Sequence, residues 1–158
     1  MRDRLVMVFI DGVGLGQDSE ENPLKDLFSD TAGRRILVKE DGIKDFGNGI
    51  LLPVDPCMGV PGLPQSATGQ TSIFTGINAA ERLGYHLTAF PDEKLVKIIK
   101  ARGLMRKLSE IGTSVTSANL YTKEFFQKKD TYEQNMLPVS TLVIKGGGSG
   151  MRFIEDYY

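Results

Sequence analysis

Residues 60–76 read VPGLPQSATGQTSIFTG, and this stretch predicts a loop that is followed by a helix. Its prolines and its first glycine end any strand that precedes them. Ser66 stands at the position of an N-cap, and apolar residues recur after it. The pattern therefore predicts a helix that begins at Ser66, extends to Leu83 and is interrupted at Gly69 and Gly76.

The start of this predicted helix suits a phosphate or a carboxylate. The N–H groups of a first helical turn have no partners within the helix, and the helix dipole favours negative charge there. Ala67 and Gly69 are small and leave room beside the hydroxyl of Ser66. That hydroxyl can cap the helix, act as a nucleophile or bind a metal ion, and a cap is the most frequent of these roles.

A second segment, Leu5–Ile10 (LVMVFI), is a continuous apolar run, typical of a strand buried on both faces. Asp11 follows it directly, and glycines at 12, 14 and 16 allow the backbone to turn sharply. A carboxylate at the C-terminal end of such a strand lies at the edge where open α/β sheets bind their ligands. The alternative is that Asp11 only caps the loop that follows it.

Apolar and β-prone segments alternate with amphipathic helical segments along the chain. This alternation predicts one α/β domain over residues 1–158, with a mostly parallel sheet and helices on both faces. Residues 140–145 (STLVIK) fit either a strand or the end of a helix, and the GGGSG run at 146–150 predicts a flexible loop or a linker. The further predicted elements are strands at 47–55 and 113–120 and helices at 91–102 and 104–111.

The composition indicates one hydrophobic core and excludes several classes of partner. The chain has 158 residues, 41% of them hydrophobic, which is long enough to form a core. A formal net charge of −1 predicts no nucleic-acid partner. Cys57 is the single cysteine, which excludes an internal disulfide and indicates a reducing compartment, the cytoplasm. The apolar run near the N-terminus is too short to span a bilayer, so no membrane partner is expected.

Two motifs together resemble the alkaline phosphatase superfamily of metalloenzymes, and within it the branch of cofactor-independent phosphoglycerate mutase and phosphopentomutase. The motifs are VMVFIDGVG at residues 6–14 and PQSATGQTSIFTG at residues 64–76, followed by INAAERLGYH. The resemblance implies an α/β core like that of alkaline phosphatase. It also implies that Asp11 is a metal ligand, and that Ser66 is both the phosphorylated nucleophile and a ligand of the metal.

Further roles follow from the same resemblance. Thr68 is the second candidate for the nucleophile, and Ala67, Gly69 and Gln70 are the candidates for binding the phosphate. Gln70 stands where the mutases of this superfamily have a histidine. The implied activity is metal-dependent phosphoryl transfer, of the phosphatase or phosphomutase type, on a small phosphate ester, with zinc or manganese as the cofactor.

The ligand set of such a metal site is incomplete in this chain. The superfamily takes further ligands from its C-terminal half, as Asp-x-x-x-His and Asp-His. This chain has one histidine, His86, which we expect at the surface or at a helix end rather than in a metal site. Asp11 and Ser66 supply two of the roughly four ligands that a zinc ion needs. We therefore expect an incomplete core, the N-terminal portion of a longer enzyme. It should show no turnover and at most weak metal binding, and it should form a homo-oligomer that covers the unpaired sheet edge.

Two other functions stay open at this point. A non-catalytic relative would use the same helix start only to bind an anion or a partner chain. A dinucleotide-binding domain would use the glycines at 12, 14 and 16, but their G-x-G-x-G spacing differs from the G-x-G-x-x-G fingerprint and residues 17–23 do not open a helix. We favour phosphoryl transfer over both.

Overall fold

The computed structural model describes residues 4–29, 33, 35–39, 42–130 and 136–157. The chain divides into two compact units, an N-terminal unit (Met1–Asp55) and a C-terminal unit (Pro56–Tyr158). The helices are α1 (Ser66–Thr75), α2 (Ala79–Leu83), α3 (Glu93–Arg102), α4 (Leu104–Glu110), α5 (Lys123–Asp130) and α6 (Val139–Gly146). The strands are β1 (Lys44–Asp45), β2 (Ile50–Leu51), β3 (Leu120–Tyr121) and β4 (Arg152–Phe153), and a short 3-10 helix follows at Ile154–Asp156.

Helices α1, α3 and α6 form the core of the C-terminal unit. α1 packs against α2, α3 and α6, and α3 packs against α4 and α6. Leu95 of α3 forms a buried cluster with Ala67 of α1 and Ala79 of α2, while Ile99 of α3 packs with Val139 of α6. Full burial of a side chain such as Leu95 or Ile99 contributes about 1.5–3 kcal/mol, so α1 rests on a stable helical support.

Helix α1 ends at a glycine and carries threonines on its buried face. Gly76 adopts φ +71° and ends the helix, so the predicted interruption there is confirmed, whereas the helix continues through Gly69 without a break. The hydroxyl of Thr71 donates to the carbonyl of Ala67 at 2.7 Å, and that of Thr75 donates to the carbonyl of Thr71 at 2.6 Å. Because these bonds satisfy the hydroxyl groups, a threonine-rich face can pack inside the protein.

The two helices predicted at 91–102 and 104–111 are confirmed as α3 and α4. Asp92 is the N-cap of α3, where its carboxylate accepts the N–H of Leu95 at 2.9 Å. Gly103 separates the two helices. None of the helices in the described part of the chain is both long enough and apolar enough to cross a membrane.

The C-terminal segment is helical where the sequence left two possibilities. Residues 140–145 lie within α6, which includes the first glycine of the GGGSG run as its last residue. Gly147 is buried just after the helix, and a Cβ atom there would lie 2.8 Å from the Cβ of Met105. This part of the glycine run therefore packs closely against α4.

The predicted mostly parallel sheet with helices on both faces is wrong for this chain. The described residues form two sheets of two strands each, in which β1 pairs antiparallel with β2 and β3 pairs parallel with β4. The predicted strands at 47–55 and 113–120 are reduced to the two residues of β2 and to the first residue of β3. A large parallel sheet of the alkaline-phosphatase kind is therefore absent from the described residues.

The apolar run Leu5–Ile10 explains why the sheet prediction fails. It carries no strand assignment, and its side chains are exposed, Leu5 at 85% and Val6 at 83%. An apolar run forms a strand only where neighbouring strands complete its backbone hydrogen bonds. Neither two-stranded sheet of the described chain includes these residues. The apolar pattern therefore predicts a strand here that the chain does not form.

Candidate functional site at the start of helix α1

Ser66 is the first residue of α1, one position after the N-cap. The N-cap is Gln65, which has extended backbone angles (φ −130°, ψ 152°) and no side-chain cap hydrogen bond. The predicted N-cap at Ser66 is therefore wrong by one residue, and ordinary capping does not account for this serine. Ser66 is half-buried and stands at the positive end of the helix dipole.

Thr68 is less accessible than Ser66. It is fully buried, and its hydroxyl donates to the carbonyl of Gln65 at 3.2 Å. Ala67, between the two, is also fully buried and belongs to the cluster around Leu95. The core therefore holds the first turn of α1 from one side, and Ser66 carries the hydroxyl of this turn that a substrate can reach more easily.

The backbone N–H groups of this turn already have partners. The carbonyl of Leu87 accepts the N–H groups of Ala67 at 3.1 Å and of Thr68 at 3.4 Å, and the N–H of Gly69 donates to Gln65 at 2.9 Å. The first-turn N–H groups are therefore not free, contrary to what the sequence led us to expect. A phosphate that accepts the N–H of Ala67 would have to replace the carbonyl of Leu87 as its acceptor.

There is room on the same side of the helix. Gly69 follows Ser66 by three residues, which places both on one side of the first turn. A Cβ atom at Gly69 would have no atom of another part of the chain within 4 Å. Space for a ligand beside Gly69 thus exists, while the roles of Ala67, Gly69 and Gln70 in binding phosphate stay predictions.

Positive φ at non-glycine residues occurs in the loop before α1 and in the segment after α2. Among the described residues, Met58 (φ +53°) and Ala89 (φ +59°) are the two non-glycine residues with positive φ. Met58 lies in residues 57–65, which we call the approach loop because it leads into Ser66. Ala89 lies in residues 84–91. We call this segment the capping turn because the carbonyl of Leu87 accepts N–H groups from the first turn of α1. Each such residue costs about 1–3 kcal/mol, and strain of this kind clusters at functional sites.

Two side chains hold the approach loop. The amide of Asn78 donates from Nδ2 to the carbonyl of Met58 at 2.8 Å. The imidazole of His86 lies 3.0 Å, through Nε2, from the carbonyl oxygen of Val60, and Nε2 donates this bond because a carbonyl can only accept. The other ring nitrogen, Nδ1, is buried without a hydrogen-bond partner among the described residues. A buried polar atom without a partner costs about 1–3 kcal/mol and calls for an explanation.

Sequence reasoning missed this second part of the site. His86 was expected at the surface or at a helix end, and it lies half-buried shortly after the end of α2; its contact with the approach loop was not predicted. The positive φ values fall on Met58 and Ala89, which carry no sequence signal of the kind that glycine gives. Asn78 was not singled out from the sequence; it is the N-cap of α2, and its Oδ1 accepts the N–H of Glu81 at 3.1 Å.

The predicted metal ligands do not form a metal site on their own. Asp11 is exposed in a turn of the N-terminal unit, whereas Ser66 belongs to the C-terminal unit. Within the described ranges, no group of three or more His, Cys, Asp or Glu side chains is arranged to hold a metal ion. One carboxylate and one hydroxyl do not fit the needs of zinc or manganese. The metal roles of Asp11 and Ser66 stay predictions.

Two shifted pKa values occur outside this site. A hydrogen bond from the side chain of Arg35 to Asp18 raises the pKa of the guanidinium in the N-terminal unit. Hydrogen bonds from its own backbone N–H and from that of Lys123 lower the pKa of Glu155. Glu155 follows β4, and the Lys123 N–H lies 3.2 Å from its carboxylate.

Comparisons of the chain with protein-family models, with curated proteins and with solved structures find no match. Its function is therefore inferred from the residues at the start of α1 and from the two motifs that resemble a known superfamily.

Proposed function

We propose that this chain carries a phosphoryl-transfer site of the phosphatase or phosphomutase type, with Ser66 as the nucleophile. The observation that carries the proposal is the place of Ser66 as the half-buried first residue of α1, with open space beside Gly69 on the same side of the turn. The positive end of a helix dipole and free space beside a hydroxyl suit an anionic phosphate ester. The PQSATGQTSIFTG motif supports the reaction type, because its resemblance to the alkaline phosphatase superfamily implies that Ser66 is the residue that becomes phosphorylated.

The proposed reaction uses the hydroxyl of Ser66 on a small phosphate ester. Its Oγ forms a bond to phosphorus while the bond from phosphorus to the ester oxygen breaks, and the released alcohol takes up the hydroxyl proton. The phosphoryl group then passes to water in a phosphatase, or to another hydroxyl of the substrate in a phosphomutase. The dipole of α1 favours the negative charge of the group, and the buried first turn holds Ser66 in place.

A divalent metal belongs to the proposal only together with further ligands. The resemblance leads us to propose zinc or manganese bound by Asp11 and Ser66, and these two side chains alone do not satisfy either ion. We assign no reaction step to the metal for this reason. The chain by itself is expected to bind manganese or zinc weakly and to show no turnover.

Self-association in a reducing compartment is a further part of the proposal. The apolar run Leu5–Ile10 is exposed, with Val8 at 77%, and exposed apolar surface of this kind favours contact between chains. We propose a homo-oligomer in which a second copy covers this run, in the cytoplasm, without nucleic acid or membrane as a partner. Light scattering tests it: association should weaken in Val6→Asp, and a monomer at high concentration in the unmodified chain contradicts it.

The test of the catalytic proposal is turnover of p-nitrophenyl phosphate with manganese or zinc. It is measured for this chain and for any longer natural protein that contains it. Ser66→Ala should lower turnover about 1000-fold or more, as expected for loss of a nucleophile. Ser114→Ala is the matched control, because Ser114 is exposed and lies outside α1. Mass spectrometry of the quenched reaction should place the phosphoryl group on Ser66.

Each result separates the candidate functions. Turnover that survives in Ser66→Ala, or a phosphoryl group on another residue, contradicts the proposal. Binding of inorganic phosphate without turnover in every form of the protein favours the non-catalytic, anion-binding alternative. A thermal shift with NAD, and none with phosphate, would favour the dinucleotide-binding alternative.

A further inference from the structure

We propose that His86 is a positioning residue for the site at Ser66, and that it acts by fixing the approach loop through Val60. The proposal deepens the proposed function and rests on it, since it concerns the same site. The loop and the capping turn are far apart in sequence, and the Nε2–Val60 hydrogen bond of 3.0 Å spans 26 residues. This bond joins the segment before Ser66 to the turn that covers the start of α1.

The capping turn contacts the chain both before and after Ser66. His86 binds Val60 of the approach loop, six residues before Ser66, and the next residue, Leu87, accepts the N–H groups of Ala67 and Thr68, which follow Ser66 directly. Leu87 therefore holds the backbone just after the proposed nucleophile, and His86 holds the loop that leads into it. Displacement of the capping turn would change both contacts.

The imidazole is seated tightly against the loop. A Cβ atom on Gly62 would lie 3.3 Å from Cδ2 of His86, and Gly62 has φ +117°, a conformation that residues with side chains rarely adopt. The loop backbone at Gly62 thus passes close to the Cδ2 edge of the ring. This contact and the Nε2–Val60 hydrogen bond together hold the ring against residues 60–62 of the loop.

Core packing by itself does not explain a histidine at this position. An apolar side chain would fill the space without leaving a polar atom unsatisfied, whereas Nδ1 of His86 is buried without a partner among the described residues. What the imidazole adds is a directed N–H for the carbonyl of Val60. The hydrogen bond that this N–H makes is what an apolar residue at position 86 would lack.

The expected effect of losing this contact is a slower chemical step with little change in substrate binding. A shift of about 1 Å in a reacting group lowers the rate of an enzyme about 100-fold. In a longer protein that contains this chain and turns over substrate, we expect His86→Ala to lower kcat between about 10- and 100-fold, with KM changed less than about threefold. His86→Gln should recover most of kcat, because its amide N–H reaches about as far as the imidazole Nε2–H.

Hydrogen exchange on the unmodified chain and its variants gives a second readout that does not need turnover. In His86→Ala the amides of the approach loop, Ala67 and Thr68 should exchange about tenfold faster, and His86→Gln should restore them. Tyr85→Ala is the control on the same turn, since Tyr85 is 49% exposed. Val143→Ala is the control for general destabilisation, since Val143 is buried in the cluster of α3 and α6.

The outcomes decide the proposal separately from the proposed function. Faster exchange confined to the start of α1 and the approach loop, with rescue by glutamine, supports positioning by His86. Faster exchange spread through all helices as in Val143→Ala, or no rescue by glutamine, overturns it, as does a kcat in His86→Ala equal to that of the unmodified protein. The chain by itself is expected to show no turnover, so in this chain the exchange pattern alone decides the role of His86. Turnover of a longer protein that survives Ser66→Ala makes the proposed function fail and leaves the exchange result for His86 standing.

Discussion

Replacement of Gly69 by alanine should make the protein more stable and its proposed site less active. Gly69 is the fourth residue of α1, and its N–H donates to the carbonyl of Gln65 at 2.9 Å, so it has ordinary helical geometry. A Cβ atom there would have no atom of another part of the chain within 4 Å. Without a clash, the change replaces a poor helix former with the best one, which raises the free energy of unfolding by about 0.5–1 kcal/mol.

This gain is measurable by thermal and urea unfolding. For a chain of this size, about 0.5–1 kcal/mol corresponds to a rise of about 1–4 °C in Tm. Gly76→Ala is the matched control, and it should lower the free energy of unfolding, because Gly76 ends the same helix at φ +71°. Alanine in that left-handed conformation costs about 1–2 kcal/mol. A Tm that falls in Gly69→Ala would refute the conclusion that α1 runs unbroken through residue 69 with open space beside it.

The effect on activity tests the site independently of stability. Gly69 and Ser66 lie on one side of the first turn, so the new methyl group would occupy the space predicted for the phosphate. We expect a higher KM for p-nitrophenyl phosphate, or weaker binding of inorganic phosphate, in a protein that is otherwise more stable. Higher stability together with unchanged phosphate binding would show that Gly69 does not contact the phosphate.

Three further perturbations test the fold around the site. Asp92→Ala removes the carboxylate that accepts the N–H of Leu95 and should lower the free energy of unfolding by about 0.5–2 kcal/mol, so an unchanged urea midpoint would contradict this cap. Ile99→Ala, at a side chain 2% exposed, should cost about 2–5 kcal/mol in the same assay, and a loss below about 1 kcal/mol would contradict its place in the core. Folding lowers the pKa of Glu155 below its unfolded value of 4.5, so its stabilising contribution is present above pH 4.5 and is lost as the pH falls through the folded value. Unfolding curves in acid should therefore be less dependent on pH in Glu155→Gln, and identical pH profiles for the two proteins would count against these hydrogen bonds.

Helices α1 to α4 of the C-terminal unit could be predicted from the sequence because their signals are local, whereas α5 was not predicted and α6 was left open between a strand and the end of a helix. A helical hydrogen bond joins residues four apart, so caps and stops such as Asp92 and Gly76 lie beside the elements that they limit. The same local information placed the candidate hydroxyl of Ser66 within one residue of its position at the start of α1. The spacing of Ser66 and Gly69 on one side of that turn follows from the helical repeat alone.

The sheet and the second half of the site were decided only by the tertiary structure. The apolar pattern of Leu5–Ile10 predicts a strand, but a strand exists only if another segment supplies its hydrogen bonds, and the pattern does not contain that partner. The contact of His86 with Val60 joins residues 26 apart, and Leu87 meets the start of α1 only after the chain has folded back on it. Neither Met58 nor Ala89 carries a sequence signal for positive φ, because the surrounding contacts impose that conformation on residues that do not favour it.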